Sequence, residues 1–430
     1  MKLWMTAALL ALAACTVTNT PQANQDEAGL RAAAKDARVL RFYEAREWRT
    51  AWTDEQRAAL ESAIGGAEQH GLDPDMFAPR IANGADPAAR DAAFSLAALG
   101  YAEALARGRA DPARLRDVYE IPRPNPDLAA GLNRALDGGD LAEWFGGLAP
   151  QDEEYRLLSA AYTETRQQIA AAQGRASAGL SDRARTLAVN LERRRWLERE
   201  PPATRIDVDT GAAVLSYYRD NQLANRRAVV VGQAGTETPS LASPMTRLVA
   251  NPTWTVPRSI QQREIAPKGA AYMARNNMEM RDGQIVQGSG PRNSLGLVKF
   301  DMENTHAIYL HDTPAKGLFG SDERHRSHGC VRVSDALGFA RMLAEHAGIL
   351  DQWERARRRD DDEEEEYEQA FVPLPTPIPV RLLYHTARVE DGRVIIVEDA
   401  YGWDDAVAQA LGLPASPRRA ARARLEDIGP

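Results

Sequence analysis

Cysteine is almost absent from this chain. The sequence has two cysteines among 430 residues, Cys15 near its beginning and Cys330 in its last third. This excludes the dense disulfide framework that small secreted domains use in place of a large core. Cys330 has no obvious disulfide partner, and a chain that keeps such an oxidation-prone thiol beside several histidines is expected to use it.

Positive charge is not in excess, and long apolar runs are lacking after the first residues. The formal net charge is −8 at pH 7, whereas a nucleic-acid-binding protein usually carries a basic patch. We therefore expect no nucleic-acid partner. No later apolar run approaches the roughly 20 residues that a membrane-spanning helix needs. With 430 residues, 44% of them hydrophobic, the chain can form two or more domains with cores of their own.

The first residues have the pattern of an export signal. A mostly apolar run over residues 3–14 is too short to span a bilayer but suits the hydrophobic region of a signal peptide. Leu12-Ala13-Ala14-Cys15 also resembles a bacterial lipobox, in which the cysteine becomes the lipid-bearing first residue. We expect a lipoprotein signal at 1–15 and a flexible tether at 16–35. The alternative is an ordinary signal peptide that leaves Cys15 incidental.

The next part of the chain has the periodicity of helices. Residues 36–180 are rich in Ala, Leu and Arg, and apolar residues recur at three- and four-residue spacing. The pattern predicts helices over 54–69 and 91–107, with Asp54 and Asp91 as their N-caps. No residue combination in this half indicates catalytic or metal-binding chemistry, so we interpret it as a helical scaffold domain.

From residue 181 onward the pattern changes. One more helix is predicted at 181–199, and then short β-branched segments bounded by turn residues indicate strands. A further helix is predicted after Cys330, and the last two strands are expected to return to the same sheet. The sequence therefore predicts an α+β fold, in which a mostly-β domain at 181–400 follows the helical one and a C-terminal helix and tail occupy 401–430. The predicted strands are 206–209, 213–218, 227–232, 297–300, 307–310, 379–387 and 393–397.

One segment of the β-rich half has a composition typical of a solvated loop. Residues 357–359 are three arginines, and an acidic run over 360–366 follows them. Blocks of like charge repel one another and are seldom packed. We predict a charged loop at 355–370.

Histidines cluster around the second cysteine. Four of the seven histidines lie shortly before Cys330 in the sequence. They are His306, His311, His325 and His328. An unperturbed thiol has a pKa of about 8.5, so it needs a base to react near neutral pH. His311 or His328 could be that base. Because a helix is predicted just after Cys330, free backbone N–H groups are expected there to polarise an oxyanion.

The same residues allow a metal-binding alternative. His311, His325, His328 and Cys330 carry the imidazole and thiolate groups that zinc prefers. Their spacing fits no standard structural zinc pattern.

The motif around Cys330 resembles a known signature. His311, followed after fifteen residues by Ser327-His328-Gly329-Cys330, resembles that of the L,D-transpeptidases, the YkuD-like bacterial enzymes that cross-link peptidoglycan. Further segments resemble the large, scaffold-bearing Gram-negative branch of this family, and the similarity extends over roughly 36–405. These segments are 42–43, 51–52, 70–72, 107–112, 251–260, 293–296 and 308–314.

The resemblance implies roles for individual residues. Cys330 is then the nucleophile, and His311 is the general base, oriented by the backbone carbonyl beside it. No metal and no cofactor are implied. The remaining motif positions support the site, with Ser327 shaping the turn and Arg332 available to pair with a substrate carboxylate. These supporting residues are Ser327, His328, Gly329, Arg332 and Asp312.

The resemblance also implies a YkuD-like catalytic domain with a capping subdomain. Residues 254–293 correspond to the segment that covers the substrate in this branch, with Trp254 and Tyr272 as candidate contacts. An ordinary surface excursion of the fold is the alternative. Larger members insert a peptidoglycan-binding module before the catalytic domain, but only residues 167–186 fill that place here. No such module is expected.

The implied activity is 3-3 cross-linking of peptidoglycan through a cysteine thioester, in cell wall biogenesis, remodelling and maintenance of cell shape. The partners would be a donor tetrapeptide and an acceptor stem, and carbapenem β-lactams would be inhibitors. Thr16 is not the aspartate that retains lipoproteins in the inner membrane. The protein is therefore expected in the periplasm, lipid-anchored to the outer membrane of a Gram-negative bacterium. An L,D-carboxypeptidase, a protein-to-peptidoglycan ligase and a non-catalytic envelope-binding lipoprotein remain alternatives.

Overall fold

The computed structural model describes residues 20–175, 177–357 and 367–415. Cys15, the predicted signal at 1–15 and the first residues of the predicted tether lie outside them, as do residues 358–366 of the predicted charged loop. The described chain forms two compact units that interleave along the sequence. The first takes the residues up to Gly65 with Pro74–Glu103 and Pro126–Gly146, and the second takes Gly66–Asp73, Ala104–Asn125 and the residues from Gly147 onward.

The helices and strands follow one another in the order that the sequence pattern suggested, helices first. The helices are α1 (Thr20–Ala33), α2 (Ala37–Ala45), α3 (Asp54–Gly65), α4 (Pro87–Arg107), α5 (Pro112–Leu115), α6 (Leu128–Gly138), α7 (Leu141–Leu148), α8 (Glu153–Ala171), α9 (Ala178–Arg195), α10 (Arg258–Ile260), α11 (Gly269–Arg275), α12 (Ala336–His346), α13 (Leu350–Arg357) and α14 (Asp404–Ala410). The strands are β1 (Tyr119–Glu120), β2 (Arg205–Asp209), β3 (Val214–Arg219), β4 (Gln222–Gly232), β5 (Ser240–Ala250), β6 (Trp254–Thr255), β7 (Met278–Arg281), β8 (Gln284–Gln287), β9 (Val298–Met302), β10 (Leu310–His311), β11 (His325–Ser327), β12 (Val331–Val333), β13 (Ala370–Leu383), β14 (Ala387–Glu390) and β15 (Arg393–Ile396).

Two helix caps of the first unit were predicted at the wrong residues. Helix α3 is capped by Thr53, whose Oγ1 accepts a hydrogen bond from the Gln56 amide at 3.2 Å, while Gln56 Oε1 accepts one from the Thr53 amide at 2.9 Å. This reciprocal pair is a capping box. Helix α4 begins earlier than expected, and Asp86 Oδ1 caps it through the Ala89 amide at 2.7 Å. Asp91 therefore lies inside the helix.

Asp91 instead holds the first unit together from within. Its carboxylate is fully buried. It accepts hydrogen bonds from the Tyr43 hydroxyl at 2.6 Å, the Ala51 amide at 2.9 Å and the Trp52 amide at 3.0 Å. A buried carboxylate is tolerated when its oxygens are hydrogen-bonded in this way. The side chain thus joins α2, α4 and the turn between α2 and α3.

Replacing Asp91 with alanine should destabilise this unit strongly. The change leaves two buried backbone amides without an acceptor and removes one of the two hydrogen-bond partners of the Tyr43 hydroxyl, so we expect a loss of about 3 kcal/mol in the free energy of unfolding. Urea denaturation followed by circular dichroism measures it. The control Asp86→Ala removes only an exposed cap and should cost about 1 kcal/mol. Equal losses for the two variants would contradict the assigned role of Asp91.

The second unit is built on a ten-stranded sheet. Eight strands form a closed circuit of pairings in the order β5-β13-β2-β3-β4-β12-β10-β9, and β9 returns to β5. Strand β1 adds to β5, and β11 adds to β4. One face of the sheet packs with α12 and α13 in a single hydrophobic cluster. Among its members are Ile206, Val208, Leu215, Val229, Val231, Phe300, Leu310, Val331, Phe339, Leu343 and Trp353.

The predicted α+β class is confirmed, and two strand predictions are corrected. Strand β13 extends far upstream of the predicted start at 379, and β15 pairs with β14 in a separate two-stranded sheet rather than returning to the main one. Strand β5, between β13 and β9, was not predicted. It contains Pro244, and proline within a segment argues against a central strand.

The predicted capping segment is a folded subdomain. Strands β6, β8 and β7 form a three-stranded sheet, accompanied by α10, α11 and a π-helical turn at Gln261–Ile265. The subdomain has a small core of its own, formed by Trp254, Val256, Ile260, Ile265, Met278, Ile285 and Leu295. None of the described helices is long and apolar enough to cross a membrane.

Candidate active site

Cys330 lies in the turn between β11 and β12. The expected helix directly after Cys330 is wrong. A short strand, β12, follows the cysteine, and α12 begins only at Ala336, so Cys330 is not at a helix N-terminus. Gly329 has φ +116, so the backbone between His328 and Cys330 is not extended. A common face for these two side chains therefore cannot be inferred from an extended backbone.

Hydrogen bonds fix the shape of this turn. Ser327 Oγ donates to the Cys330 carbonyl at 2.6 Å and accepts from the Gly329 amide at 3.1 Å. The loop after β4 supplies two more contacts, because Thr236 Oγ1 donates to the Ser327 carbonyl at 3.1 Å and Thr238 Oγ1 donates to the Gly329 carbonyl at 2.8 Å. The two threonines were not predicted as site residues. Thr236 is 91 residues from Ser327, and no pattern in a single sequence pairs a loop with a motif so far away.

Replacing Ser327 with alanine should loosen the turn. Two buried hydrogen bonds are lost, and the free energy of unfolding should fall by about 2 kcal/mol. We also expect alkylation of Cys330 by iodoacetamide to accelerate, because the buried thiol becomes more accessible. Thermal unfolding and the alkylation rate measure these effects. The matched control is Ser334→Ala, beyond β12, which should change neither; an unchanged Ser327→Ala variant would contradict the role of this hydroxyl.

His311 lies on the strand beside the cysteine. Strands β10 and β12 are parallel, with Leu310 opposite Val331 and His311 opposite Arg332. Leu310 and Val331 belong to the hydrophobic cluster. Because side chains alternate between the two faces of a sheet, His311 and Arg332 lie on the opposite face, and Cys330 is the next residue of that face. The fold thus places the two predicted catalytic residues on neighbouring strands.

The imidazole of His311 is held as a neutral base. Its Nδ1 contacts the Asp312 carbonyl, and because a carbonyl can only accept, Nδ1 carries the proton. Nε2 is therefore the basic nitrogen, and it is buried without a hydrogen-bond partner in the described chain. Burial, helped by the nearby Arg332 charge, lowers the pKa of His311 to about 3.

Burial favours the protonated form of the thiol. Cys330 is 7% exposed, and its Sγ lies 3.6 Å from the Ala307 carbonyl. Burial raises the pKa of the Cys330 thiol to about 11, although Tyr309, Lys299 and Arg332 act in the other direction. The resting site therefore pairs a neutral thiol with a neutral imidazole.

Tyr309 completes this face of the sheet and was not predicted. Its ring centroid is 5.8 Å from that of His311, and its side chain lies against the Cys330 thiol. Burial and that thiol raise the pKa of Tyr309 well above its ordinary value. No alternating pattern signalled it, because β10 has only two residues and Tyr309 precedes them.

Asp312 and Arg332 support the site in different ways. The Asp312 carboxylate forms an ion pair with Lys316 and accepts a hydrogen bond from the Leu297 amide at 3.0 Å. Its contribution to His311 is through the backbone carbonyl. Arg332 is only 1% exposed, so its guanidinium offers little surface to a substrate.

The capping subdomain contacts the motif at His328. His328 Nε2 lies 2.7 Å from Glu264 Oε1, which belongs to the π-helical turn. Trp254 is 1% exposed and sits in the core of the subdomain. Its Nε1 has no hydrogen-bond partner among the described residues. Tyr272 is partly buried against the same core.

The candidate zinc ligands do not converge. His325 is bound by Glu323 and the Thr210 carbonyl, each at 2.9 Å, while His328 is engaged with Glu264. No group of three or more His, Cys, Asp or Glu side chains positioned to hold a metal ion occurs in the described chain. The geometry of the thiol and the imidazole fits acid–base and nucleophilic chemistry.

Two family models match the chain. Residues 203–359 match the L,D-transpeptidase catalytic domain, YkuD, and residues 37–161 match the scaffold domain. A Haemophilus influenzae protein provisionally named an L,D-transpeptidase is 32% identical over 214 residues, which are 44% of this chain and 42% of that protein. This chain thus matches less than half the length of that curated relative.

Solved structures with detected similarity are more distant. A cysteine-to-serine mutant of Enterococcus faecium L,D-transpeptidase is 13% identical, with a TM-score of 0.22 over 44% of this chain and 53% of that one. The catalytic domain of an E. faecium L,D-transpeptidase acylated by ertapenem is 17% identical, with a TM-score of 0.21 over 32% of this chain and 85% of that one.

Proposed function

We propose that this chain, in which an L,D-transpeptidase catalytic domain follows a scaffold domain, forms 3-3 cross-links between peptidoglycan stem peptides through a thioester on Cys330. The observation that carries this proposal is the pairing of β10 with β12, which brings the buried Cys330 and the neutral imidazole of His311 to the same face of the sheet. The imidazole Nε2 has no hydrogen-bond partner within the described chain. The first half-reaction acylates the cysteine, and the second releases the acyl group to an amine.

Acylation begins with proton transfer. His311 Nε2 takes the thiol proton as Cys330 Sγ bonds to the carbonyl carbon of the third stem residue, and the carbonyl oxygen becomes an oxyanion. In the turn, the Gly329 amide is bound to Ser327 Oγ, and the Val331 amide is bound to the Tyr309 carbonyl at 3.1 Å. The Cys330 amide makes no hydrogen bond among the described residues, so it is the donor this turn offers to the oxyanion.

Collapse of the oxyanion breaks the bond to the terminal D-alanine. The imidazolium of His311 returns its proton to the departing amine, which leaves a thioester and a neutral imidazole. The side-chain amine of meso-diaminopimelate on a second stem then attacks the thioester. His311 accepts the amine proton and transfers it to the departing thiolate, so the resting pair is restored and one 3-3 cross-link is formed.

A substrate must pass the capping subdomain to reach the site. Cys330 and His311 are both buried, so a stem peptide reaches them only if the surface over the site opens. We assign the role of that cover to residues 254–293, because Glu264 contacts His328 next to Cys330. A cover also excludes water, which would otherwise compete with the acceptor amine for the thioester.

The cellular setting of the proposal rests on the sequence. Cys15 would carry a lipid that anchors the protein to the outer membrane, facing the periplasm, where the stem peptides are. Carbapenems would acylate Cys330 in place of the donor and block it.

Product analysis tests the proposal. Full-length protein in mild detergent is incubated with disaccharide-tetrapeptide, beside the Cys330→Ala variant, and the products are identified by mass spectrometry. A dimer that has lost one D-alanine, absent with the variant, is the expected result. Tripeptide alone would identify an L,D-carboxypeptidase, and transfer to a lysine of an envelope protein would identify a ligase. The absence of any Cys330-dependent product would overturn the proposed function.

A further inference from the structure

A lysine that the motif does not include lies on the catalytic face of the sheet. Lys299 on β9 is directly opposite His311 in the antiparallel register of β9 and β10. Its side chain therefore projects from the same face as those of His311 and Tyr309. Lys299 Nζ is 4.3 Å from the centroid of the Tyr309 ring, and Tyr309 in turn lies against the Cys330 thiol.

Lys299 has a positive charge that its neighbours do not fully neutralise. Its Nζ is 2.8 Å from Asp301 Oδ1. Asp301 also binds Arg247, whose Nε is 2.6 Å from Oδ2. One carboxylate is thus shared by two cations, and one positive charge is in excess. Burial acts to raise the pKa of Asp301, but Lys299 and Arg247 hold it below its ordinary value, so this carboxylate remains charged.

The charge of Lys299 reaches both reacting groups. Burial is the main cause of the pKa shifts at Cys330 and His311, but Lys299 lowers the pKa of both as well. An anion held by Lys299 would therefore lie close to the point of attack.

Lys299 and Arg332, the two cations discussed on this face, differ in solvent exposure. The Lys299 side chain is 23% exposed, whereas Arg332 is 1% exposed. Sequence reasoning assigned a substrate carboxylate to Arg332, but a group so buried cannot meet a peptide without a rearrangement. A lysine, with its mobile ammonium on a flexible stem, can follow an anionic group as the substrate settles.

We propose that Lys299 binds the C-terminal carboxylate of the donor stem peptide and thereby selects donors that end one residue beyond the attacked carbonyl. This inference rests on the proposed function. In a tetrapeptide donor the terminal carboxylate is one residue from the carbonyl that Cys330 attacks, a span of about 3.5 Å along the chain. Tyr309 lies against both the Cys330 thiol and Lys299, so the attacked carbonyl at Sγ and the carboxylate at Nζ would lie around one aromatic ring.

The test compares two donors that differ only in this charge. Full-length protein receives disaccharide-tetrapeptide with a free C-terminal carboxylate or with a C-terminal carboxamide, and the release of alanine or alaninamide is measured. We expect the wild type to prefer the free acid by about 10- to 100-fold in kcat/KM, the range for a charge-assisted hydrogen bond. High salt should reduce this preference.

Variants of Lys299 test whether this lysine causes the preference for the free-acid donor. Lys299→Met should lose turnover of the acid by about this factor more than turnover of the amide, and so lose the preference; Lys299→Arg should restore part of it. The matched control Lys35→Met, at an exposed position in the first unit, should keep the full preference.

The failure of this inference is distinguishable from that of the proposed function. A wild type that uses both donors equally well overturns the inference without reference to any variant, and so does a Lys299→Met protein that still prefers the acid. A wild type that turns over neither donor in a Cys330-dependent way overturns the proposed function, and the inference with it.

Discussion

Replacement of Cys330 by alanine is expected to abolish turnover, with a loss of about 10⁴-fold or more in the rate of donor cleavage. The expected loss is this large because every later step depends on the thioester, and the rest of the site cannot replace a missing nucleophile. Cys330→Ser should be almost as inactive. Burial already raises the pKa of the thiol to about 11, and a hydroxyl in the same place would be far harder to deprotonate.

The covalent intermediate gives this prediction a second readout. Intact-mass spectrometry of the wild type after incubation with a carbapenem should show a single adduct, and neither Cys330 variant should show it. Thermal unfolding should be nearly unchanged, because alanine differs from cysteine by one small atom group. The control is Cys15→Ser, which should retain turnover in detergent while losing the predicted attachment to membranes. Turnover by Cys330→Ala at more than about one hundredth of the wild-type rate would contradict the mechanism.

The proposed nucleophile and base could be selected from the sequence because both belong to a compact motif. Their surroundings could not. Strand β10 has two residues, Leu310 and His311, which is too short for an alternating pattern to be read. The position of Lys299 depends on the pairing of β9 with β10, a tertiary contact that no local pattern specifies. Tyr309 and Lys299 therefore appear as part of the site only when the sheet is formed.

The helical half shows the same limit. Asp91 resembles a helix cap in the sequence, because a short acidic residue precedes an apolar repeat. Its actual partners are Tyr43, Ala51 and Trp52, which come from a distant part of the chain. Local propensity favours a helix cap at Asp91. A buried carboxylate, however, is stable only where its oxygens are hydrogen-bonded, and the three donors that meet this need lie in the interior of the unit. The α+β class was predictable because it depends on the sum of many such segments rather than on one.

The largest effect after that of the nucleophile is expected at His311. His311→Ala should slow acylation of Cys330 by a carbapenem by about 10³-fold, in the range of a general base. Without the imidazole, only the small fraction of spontaneously ionised thiol reacts. The thiol has a pKa of about 11. At pH values below 11, each increase of one pH unit raises the ionised fraction about tenfold, so the rate of the variant should increase by the same factor.

The wild type should have a different pH profile. The pKa of His311 is lowered to about 3 and that of Cys330 is raised to about 11. Proton transfer from the thiol needs an unprotonated imidazole, so reactivity is lost as the pH falls through the first value. Above the second value the thiol ionises without the base. The acylation rate constant should therefore be flat from about pH 5 to about pH 9.

A control variant separates His311 from histidines in general. His306→Ala changes an imidazole that lies 2.8 Å from Glu120 and has no part in the proposed proton transfer, so it should keep both the wild-type rate and the flat profile. A wild-type rate that falls on the acid side with a midpoint near 6.5 would show that the imidazole titrates as it does in water. The buried, neutral thiol–imidazole pair would then be the wrong resting state, and Cys330 would have to react as one half of a thiolate–imidazolium pair.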